Sequence, residues 1–127
     1  MVYTKRLLPP QKSRMSKRLS PAFSTDLGAV YKTDCLYLLA NLKDESIDCV
    51  FADPPFNLAK DYGNGGDKDD LTSADYLKWC YSWIDECVRV LKPGGSFFVY
   101  NLPQWAYHLA AHLESKDMKF RTGSRFP

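Results

Sequence analysis

The stretch IDCVFADPPFN, residues 47–57, runs from apolar residues into an acid, two prolines and an aromatic residue. Its first part, IDCVFAD (47–53), is rich in β-formers and predicts a strand. Pro54 and Pro55 each have a backbone φ of about −65° and no N–H. Asp53 is extended because it precedes a proline. The chain therefore leaves the strand stiffly, with the Asp53 carboxylate and the Pro54 carbonyl as acceptors in a defined place.

Two rigid acceptors suit a group that carries two N–H donors, such as an exocyclic amine on an aromatic ring. Phe56 adds a flat apolar face on which such a ring can stack. A second interpretation stays open on the residues alone. In that interpretation Pro54-Pro55 only terminates the strand and Phe56 belongs to the core.

Strands and helices alternate on both sides of this stretch. The predicted elements are, in order, a strand at 29–34, a helix at 35–42, the strand at 47–53, a loop at 54–71, a long helix, a strand at 96–101, a helix from Pro103 to about Lys116 and a strand beginning at 118–120. The long helix begins at Thr72, which forms a capping box with Asp75, and Pro93-Gly94-Gly95 stops it. This alternation predicts an α/β fold with a mostly parallel sheet. Ligands bind off the carboxyl ends of such strands, where Asp34, Asp53 and Asn101 fall.

Charge divides the 127 residues unevenly. Residues 1–25 hold six of the 17 bases and no acid, whereas 26–127 hold the other 11 bases and all 15 acids. We therefore predict a basic, flexible arm over 1–25 and a mildly acidic, folded domain over 26–127. The arm is interpreted as a solvated tail, as a phosphate-binding arm for nucleic acid or, because it is rich in Ser and Arg, as a transit peptide, although its prolines interrupt an amphipathic helix.

The cysteines and histidines predict no special chemistry. The four cysteines form no C-x-x-C motif and are interpreted as reduced, mostly buried thiols of an intracellular protein. His108 and His112 lack the glutamate of a zinc-protease motif and are interpreted as ordinary helix residues. We expect no metal, no membrane span and a cytoplasmic, nucleoid-associated location.

The residues around Asp53 resemble a known family. Asp53-Pro54-Pro55-Phe56 followed by Asn57 resembles motif IV of the amino-methylating DNA methyltransferases. The flanks TDCLYLLANLKDESIDCVFADPPFN (33–57) and WCYSWIDECVRVLKPGGSFFVYN (79–101) resemble the segments around that motif, and the resemblance covers roughly residues 29–121. The early position of the motif is similar to the permuted group of the family, in which the cofactor glycine motif comes last.

The resemblance implies that 26–127 is a partial methyltransferase catalytic domain, with a Rossmann-like, mostly parallel sheet and helices on both faces. It also implies transfer of a methyl group from S-adenosylmethionine to the exocyclic amine of a flipped base in DNA, within a restriction-modification system. Adenine N6 is favoured over cytosine N4 as the methylated amine. The residues implied are Asp53, Pro54, Pro55 and Phe56 for catalysis, Asp34 and Cys35 for the cofactor, and Asn57 and Asn101 for the substrate. Asp34 has a second interpretation as the N-cap of the following helix, and the loop at 60–70 either closes over substrate or is a surface loop.

The family's glycine-rich cofactor loop has no counterpart in these 127 residues. We therefore expect a truncated product, a fragment or half of a split enzyme, completed by a second polypeptide or by another copy of the chain. An uncompleted sheet predicts an exposed apolar edge and poor solubility. Two other functions stay open: a DNA-binding remnant without activity, and methylation of an amine or amide in RNA or protein.

Overall fold

A computed structural model describes residues 2–5, 19–58 and 71–122 of the chain. The elements are β1 (Val2–Lys5), β2 (Phe23–Thr25), β3 (Gly28–Val30), α1 (Cys35–Ala40), β4 (Ile47–Ala52), α2 (Ser73–Val90), β5 (Leu91–Val99), α3 (Pro103–Ser115) and β6 (Met118–Thr122). The three predicted helices and the strands predicted at 47–53 and 118–120 are confirmed, with small differences at their ends. The chain is a mixed α/β structure.

Four strands form one sheet in the order β4-β5-β1-β6. β4 and β5 run parallel, and Ala52 lies opposite Val99. β1 runs antiparallel to both of its neighbours, β5 and β6. The prediction of a mostly parallel sheet is therefore wrong at the level of strand pairing, because β1 makes two of the three neighbouring pairs antiparallel.

The strand β1 comes from the segment that was predicted to be a flexible basic arm. Its backbone pairs with β5 from Val2 opposite Phe98 to Thr4 opposite Ser96, and with β6 on its other side. The prediction of a flexible arm is therefore wrong for the four residues of β1, which form a strand of the main sheet. Residues 6–18, which carry most of the arm's charge, lie outside the described residues, and the domain boundary at residue 25 stays a prediction.

The strand predicted at 29–34 is wrong in extent and in partner. β3 ends at Val30 and pairs antiparallel with β2, through the turn at Asp26 and Leu27, as a separate two-stranded sheet. Thr25 and Gly28 face each other across this turn, so β3 pairs with β2, the strand nearest to it in sequence. Asp34 therefore does not follow a strand of the main sheet.

The long helix α2 begins and ends close to its predicted signals. The Thr72 hydroxyl accepts from the Asp75 N–H at 3.2 Å and donates to the Asp75 carboxylate at 2.7 Å, which caps the helix. The helix ends at Val90, and β5 already starts at Leu91, so the Pro-Gly-Gly turn lies inside the strand and not before it.

Gly95 in this turn allows β5 to approach β4. A Cβ atom there would lie 2.8 Å from the Lys92 carbonyl oxygen and 2.9 Å from the Asp48 carbonyl oxygen. These are backbone atoms that cannot move aside, so only glycine fits. This close approach lies at the start of the parallel pairing between β4 and β5.

All three helices share one core on one face of the sheet. Its buried members are Tyr76, Cys80, Trp83, Ile84, Cys87, Leu91, Phe97, Val99, Trp105, Leu109, Leu113 and Met118, with Leu36 and Leu39 of α1 packed against them. On the other face Phe51 is 76% exposed and stacks on Phe98 with ring centroids 6.4 Å apart. The prediction of helices on both faces is therefore wrong for the described residues, because none of their helices covers Phe51.

The cysteines divide into two pairs. Cys80 and Cys87 are buried in the core, whereas Cys35 and Cys49 are exposed. The prediction of mostly buried thiols is thus right for only half of them, because Cys49 lies on the open face of β4. In the described part of the chain no helix combines the length and the apolar character needed to cross a membrane.

Candidate active site

The segment Asp53–Phe56 leaves the carboxyl end of β4 beside the residues that leave β5. The Tyr100 N–H donates to the Ala52 carbonyl at 2.9 Å, which joins the two exits. Asp53 and Asn101 therefore lie at one edge of the sheet, as the order of the elements predicted. Asp34 precedes α1 instead.

The two acceptors at the start of the segment are open. Asp53 is exposed and Pro54 is half-buried. No residue within the described ranges donates a hydrogen bond to the Asp53 carboxylate or to the Pro54 carbonyl. Both are therefore available to a group that brings its own N–H donors.

The next two carbonyls of the segment are occupied by side chains from the helices. The Tyr76 hydroxyl of α2 donates to the Pro55 carbonyl at 2.6 Å. The Trp105 Nε1–H of α3 donates to the Phe56 carbonyl at 2.9 Å. Carbonyls 55 and 56 are thus bound to the core, whereas the carbonyl of residue 54 is not.

Sequence reasoning missed the part that Tyr76 and Trp105 play at this site. The sequence patterns assigned neither residue to the site, and both are buried. The signal that was available is chemical: a buried tyrosine or tryptophan needs a partner for its O–H or N–H. The unpaired carbonyls of a Pro-Pro segment are natural partners for these donors.

Phe56 provides the aromatic face expected at the site. Its ring packs against Tyr100, with centroids 5.4 Å apart and planes tilted by 59°. Tyr100 is 45% exposed, so the pair forms an aromatic wall that solvent reaches. This wall lies at the same strand exits as the free acceptors, and the core interpretation of Phe56 fits only its half-buried state.

Asn57 joins the two ends of the segment that lies between residues 58 and 71. Its Nδ2 donates to the Leu71 carbonyl at 2.8 Å, and its Oδ1 accepts from the Leu71 N–H at 2.7 Å. Its backbone has φ of 57°, a left-handed conformation that asparagine tolerates better than most residues. These contacts fix the start of that segment to its end, and the loop at 60–70 lies outside the described residues. The predicted contact of Asn57 with substrate stays a prediction.

Asn101 is engaged within the protein. Its Nδ2 donates to the Tyr76 hydroxyl at 3.0 Å, and its Oδ1 accepts from the Leu102 N–H at 2.8 Å. It therefore meets the site through Tyr76. Its predicted contact with substrate stays a prediction.

Asp34 caps α1, as one of its two interpretations predicted. Its Oδ1 accepts from the Leu36 N–H at 2.8 Å. Cys35 follows as the first residue of the helix, and its thiol pKa is raised by desolvation and then by the negative charge of Asp34. This keeps the Cys35 thiol protonated at neutral pH.

The histidines and possible metal ligands lie away from this constellation. His112 Nε2 lies 2.7 Å from Asp85 Oδ1, and its ring stacks on Tyr81 at 4.1 Å, so it joins α3 to α2. Among the residues that the structure describes, no three His, Cys, Asp or Glu side chains are grouped to bind a metal ion.

These contacts define a mixed α/β protein with two free acceptors beside an aromatic wall, at the carboxyl ends of two parallel strands. Comparison with known proteins identifies the family. A family model described as DNA methylase matches residues 47–125, more than half of the chain, and the chain belongs to this family. The resemblance found from the residues around Asp53 is thereby confirmed.

Individual relatives agree with this assignment. The chain is 49% identical over 114 residues to the type II methyltransferase M.BamHI of Bacillus amyloliquefaciens, covering 82% of this chain and 26% of the relative. It is 41% identical over 68 residues to the type II methyltransferase M.HpaI of Haemophilus parainfluenzae, covering 54% and 21%. It is 35% identical over 81 residues to the DNA adenine methyltransferase YhdJ of Escherichia coli (strain K12), covering 62% and 26%. The chain thus spans about a quarter of the length of these relatives.

Proposed function

We propose that the chain forms the amine-binding catalytic part of an S-adenosylmethionine-dependent DNA methyltransferase with a Rossmann-like sheet. The observation that carries this proposal is the pair of free acceptors, the Asp53 carboxylate and the Pro54 carbonyl, beside Phe56. The family model is described as DNA methylase and the Escherichia coli relative is named a DNA adenine methyltransferase, which supports DNA as the substrate. The type II methyltransferase names of M.BamHI and M.HpaI support a role in modification within a restriction system.

The chemistry follows from what these acceptors do to an aromatic amine. The nitrogen is a poor nucleophile because its lone pair is delocalised into the ring. Hydrogen bonds from its two N–H groups to Asp53 and to the Pro54 carbonyl favour a pyramidal nitrogen with a localised lone pair. As the nitrogen gains positive charge in the transition state, the preorganised Asp53 carboxylate stabilises that charge.

The base must leave the duplex to reach this site. Phe56, supported by Tyr100, then stacks on its ring and places the amine against the acceptors. Adenine N6 and cytosine N4 both present two N–H donors. The aspartate at position 53 favours adenine, and the name of the Escherichia coli relative, an adenine methyltransferase, agrees.

Asp34 and Cys35 are the residues of this chain that we propose for contact with the cofactor, which supplies an electrophilic methyl group. One carboxylate oxygen of Asp34 caps α1. Its other oxygen accepts no hydrogen bond from a described residue and so fits a hydroxyl or amine donor. The remaining contacts of the cofactor are proposed to come from a second polypeptide, a second copy or a further part of the protein.

The test is transfer of labelled methyl groups from S-adenosylmethionine to unmethylated DNA, followed by identification of the methylated nucleoside. We expect N6-methyladenine from the parent chain and a loss of about a hundredfold or more in Asp53→Ala, because one preorganised contact to developing charge is typically worth about 3 kcal/mol. Asp48→Ala removes an exposed carboxylate from the same strand and is the matched control.

Full activity in Asp53→Ala would contradict the assigned role of Asp53. N4-methylcytosine as the product would replace adenine by cytosine and leave the amine mechanism intact. Transfer to RNA but not to DNA would overturn the proposed substrate.

A further inference from the structure

We propose that Tyr76 and Trp105 are positioning residues: by binding the carbonyls of Pro55 and Phe56, they orient the Asp53 carboxylate and the Pro54 carbonyl toward the target amine. This inference rests on the proposed function. It assigns the orientation of the acceptors to two helices that lie behind the site.

The need for these donors follows from the sequence of the segment. Pro54 and Pro55 have no N–H, so backbone donors at these two positions cannot bind the segment to the protein. At these two positions only the carbonyls remain for this purpose. Two successive carbonyls, those of Pro55 and Phe56, receive a hydrogen bond from a buried side chain, which fixes the segment directly behind its free acceptors.

The two donors are themselves rigid. Tyr76 is fully buried and Trp105 is 8% exposed. Their rings pack against each other with centroids 4.9 Å apart and planes at 53°. A large ring fixed in a core cannot follow a carbonyl that moves, so each donor specifies a position and not merely a contact.

The direction of the Tyr76 hydroxyl proton is set by Asn101. The Asn101 Oδ1 accepts from the Leu102 N–H, which turns its Nδ2 toward Tyr76. Because Nδ2 can only donate, the tyrosine oxygen accepts there, and its one proton goes to the Pro55 carbonyl. Asn101 follows β5, so this chain of hydrogen bonds joins the exit of β5 to the exit of β4 through α2.

Trp83 shows that burial alone does not explain the Trp105 contact. Trp83 is 4% exposed in the same core, yet its Nε1–H has no hydrogen-bond partner among the described residues. Its indole serves packing. Trp105 has similar burial, and its Nε1–H meets the Phe56 carbonyl at 2.9 Å, so the pair provides a matched comparison.

The experiment compares Tyr76→Phe, Trp105→Phe and the control Trp83→Phe in the full chain. Trp83→Phe and Trp105→Phe remove the same atoms from the same core, but only Trp105→Phe removes a hydrogen bond to the segment. Two readouts are taken: hydrogen exchange of the backbone N–H groups in residues 53–58, and steady-state methyl transfer to DNA. Thermal unfolding identifies any variant that is not folded.

We expect faster exchange in residues 53–58 for Tyr76→Phe and Trp105→Phe, and parent-like exchange for Trp83→Phe. We expect kcat to fall by about tenfold or more in the first two variants, since misplacement by about 1 Å can cost about a hundredfold. The KM for DNA should stay within about twofold, because the lost alignment affects the transition state more than binding. If Tyr76→Phe does not fold, the two tryptophan variants decide the matter.

Unchanged exchange in both variants would overturn the proposal, and so would an equal loss of kcat in Trp105→Phe and Trp83→Phe. A parent chain that transfers no methyl group would show that this chain needs the partner proposed to complete its cofactor site. In that case the exchange measurement still decides whether Tyr76 and Trp105 fix the segment.

Discussion

The thiols of Cys80 and Cys87 titrate far from neutral pH because they lie in the core. Burial raises the pKa of the Cys80 thiol to about 11, and burial together with neighbouring Cys35 and Glu86 raises that of Cys87 to about 12. The ordinary value is 9.0. Both thiols are therefore neutral in the folded protein over the physiological range.

Alkaline pH should destabilise the fold through these thiols. Above pH 9 an unfolded thiol loses its proton while the folded one retains it, so the unfolded state binds fewer protons and the free energy of unfolding falls. The loss is about 1.4 kcal/mol per pH unit for each thiol, up to the folded pKa of about 11 or about 12. Below pH 9 this contribution to stability is fully present.

Urea unfolding of the parent and of Cys87→Ala at pH 8 and pH 10 measures this effect. The decrease in the free energy of unfolding between the two pH values should be about 1.4 kcal/mol smaller in Cys87→Ala. Cys49→Ala, which removes an exposed thiol, is the control. Equal decreases in the parent and in Cys87→Ala would contradict the prediction.

Single residues also show what the sequence reveals about the site. Asp53 and Phe56 could be singled out because proline stereochemistry acts locally and limits what each neighbour can do, whereas Asn57 was assigned through the family resemblance. Tyr76 could not be, because its hydroxyl meets a carbonyl 21 residues earlier in the chain. The same apolar pattern describes a tyrosine that only packs, so the contact becomes visible only once α2 lies against the exit of β4.

At the scale of elements, Arg89 joins α2 to the end of α1. Its guanidinium donates to the Leu39 carbonyl at 2.7 Å and the Leu42 carbonyl at 3.0 Å, and it pairs with Asp44 and Glu86. Burial lowers the pKa of Arg89, but the hydrogen bonds with Glu86 and Asp44 outweigh this and raise it above its ordinary value. One side chain thus satisfies carbonyls at the end of a helix of only six residues.

Replacing Arg89 by methionine should therefore cost much more than the loss of a surface ion pair. The change leaves Asp44, whose side chain is 7% exposed, as a buried carboxylate without its partner. Breaking such a pair costs about 3 kcal/mol or more. Urea unfolding gives this cost directly.

Lys92→Met is the matched control for Arg89→Met. The Lys92–Asp48 pair is exposed and should contribute at most about 1 kcal/mol. Similar costs for the two variants would show that Arg89 acts as an ordinary surface charge.

The elements that sequence reasoning found are those specified by local signals. α2 was predicted from its apolar period and from Thr72, and α3 from Pro103. The strand β1 was missed because four residues before a basic segment carry little local signal. Its place between β5 and β6 depends on partners more than 90 residues away in the chain. β3 was wrongly placed in the main sheet for the opposite reason. A short turn brings β2 next to it, and β3 pairs with β2 in a separate sheet.

At the scale of the whole molecule, the main sheet has one covered and one open face. Phe51 and Phe98 stack on the open face, and β4 forms an outer edge of the sheet in the described part of the chain. An exposed apolar patch on the face of a sheet favours association with another chain. This supports the expectation that the chain needs a partner or is poorly soluble alone.

We therefore expect the isolated chain to self-associate through the face that carries Phe51. Phe51→Lys should shift the population toward the monomer, because a lysine would have to be desolvated beside Phe98 in any stacked pair of sheets. Leu27→Lys is the matched control: Leu27 is fully exposed at the turn of the β2–β3 hairpin, and the change adds the same charge away from the sheet face. Sedimentation over a range of concentrations measures the association. A parent chain that stays monomeric throughout, or an equal shift in both variants, would show that the open face is not the site of association.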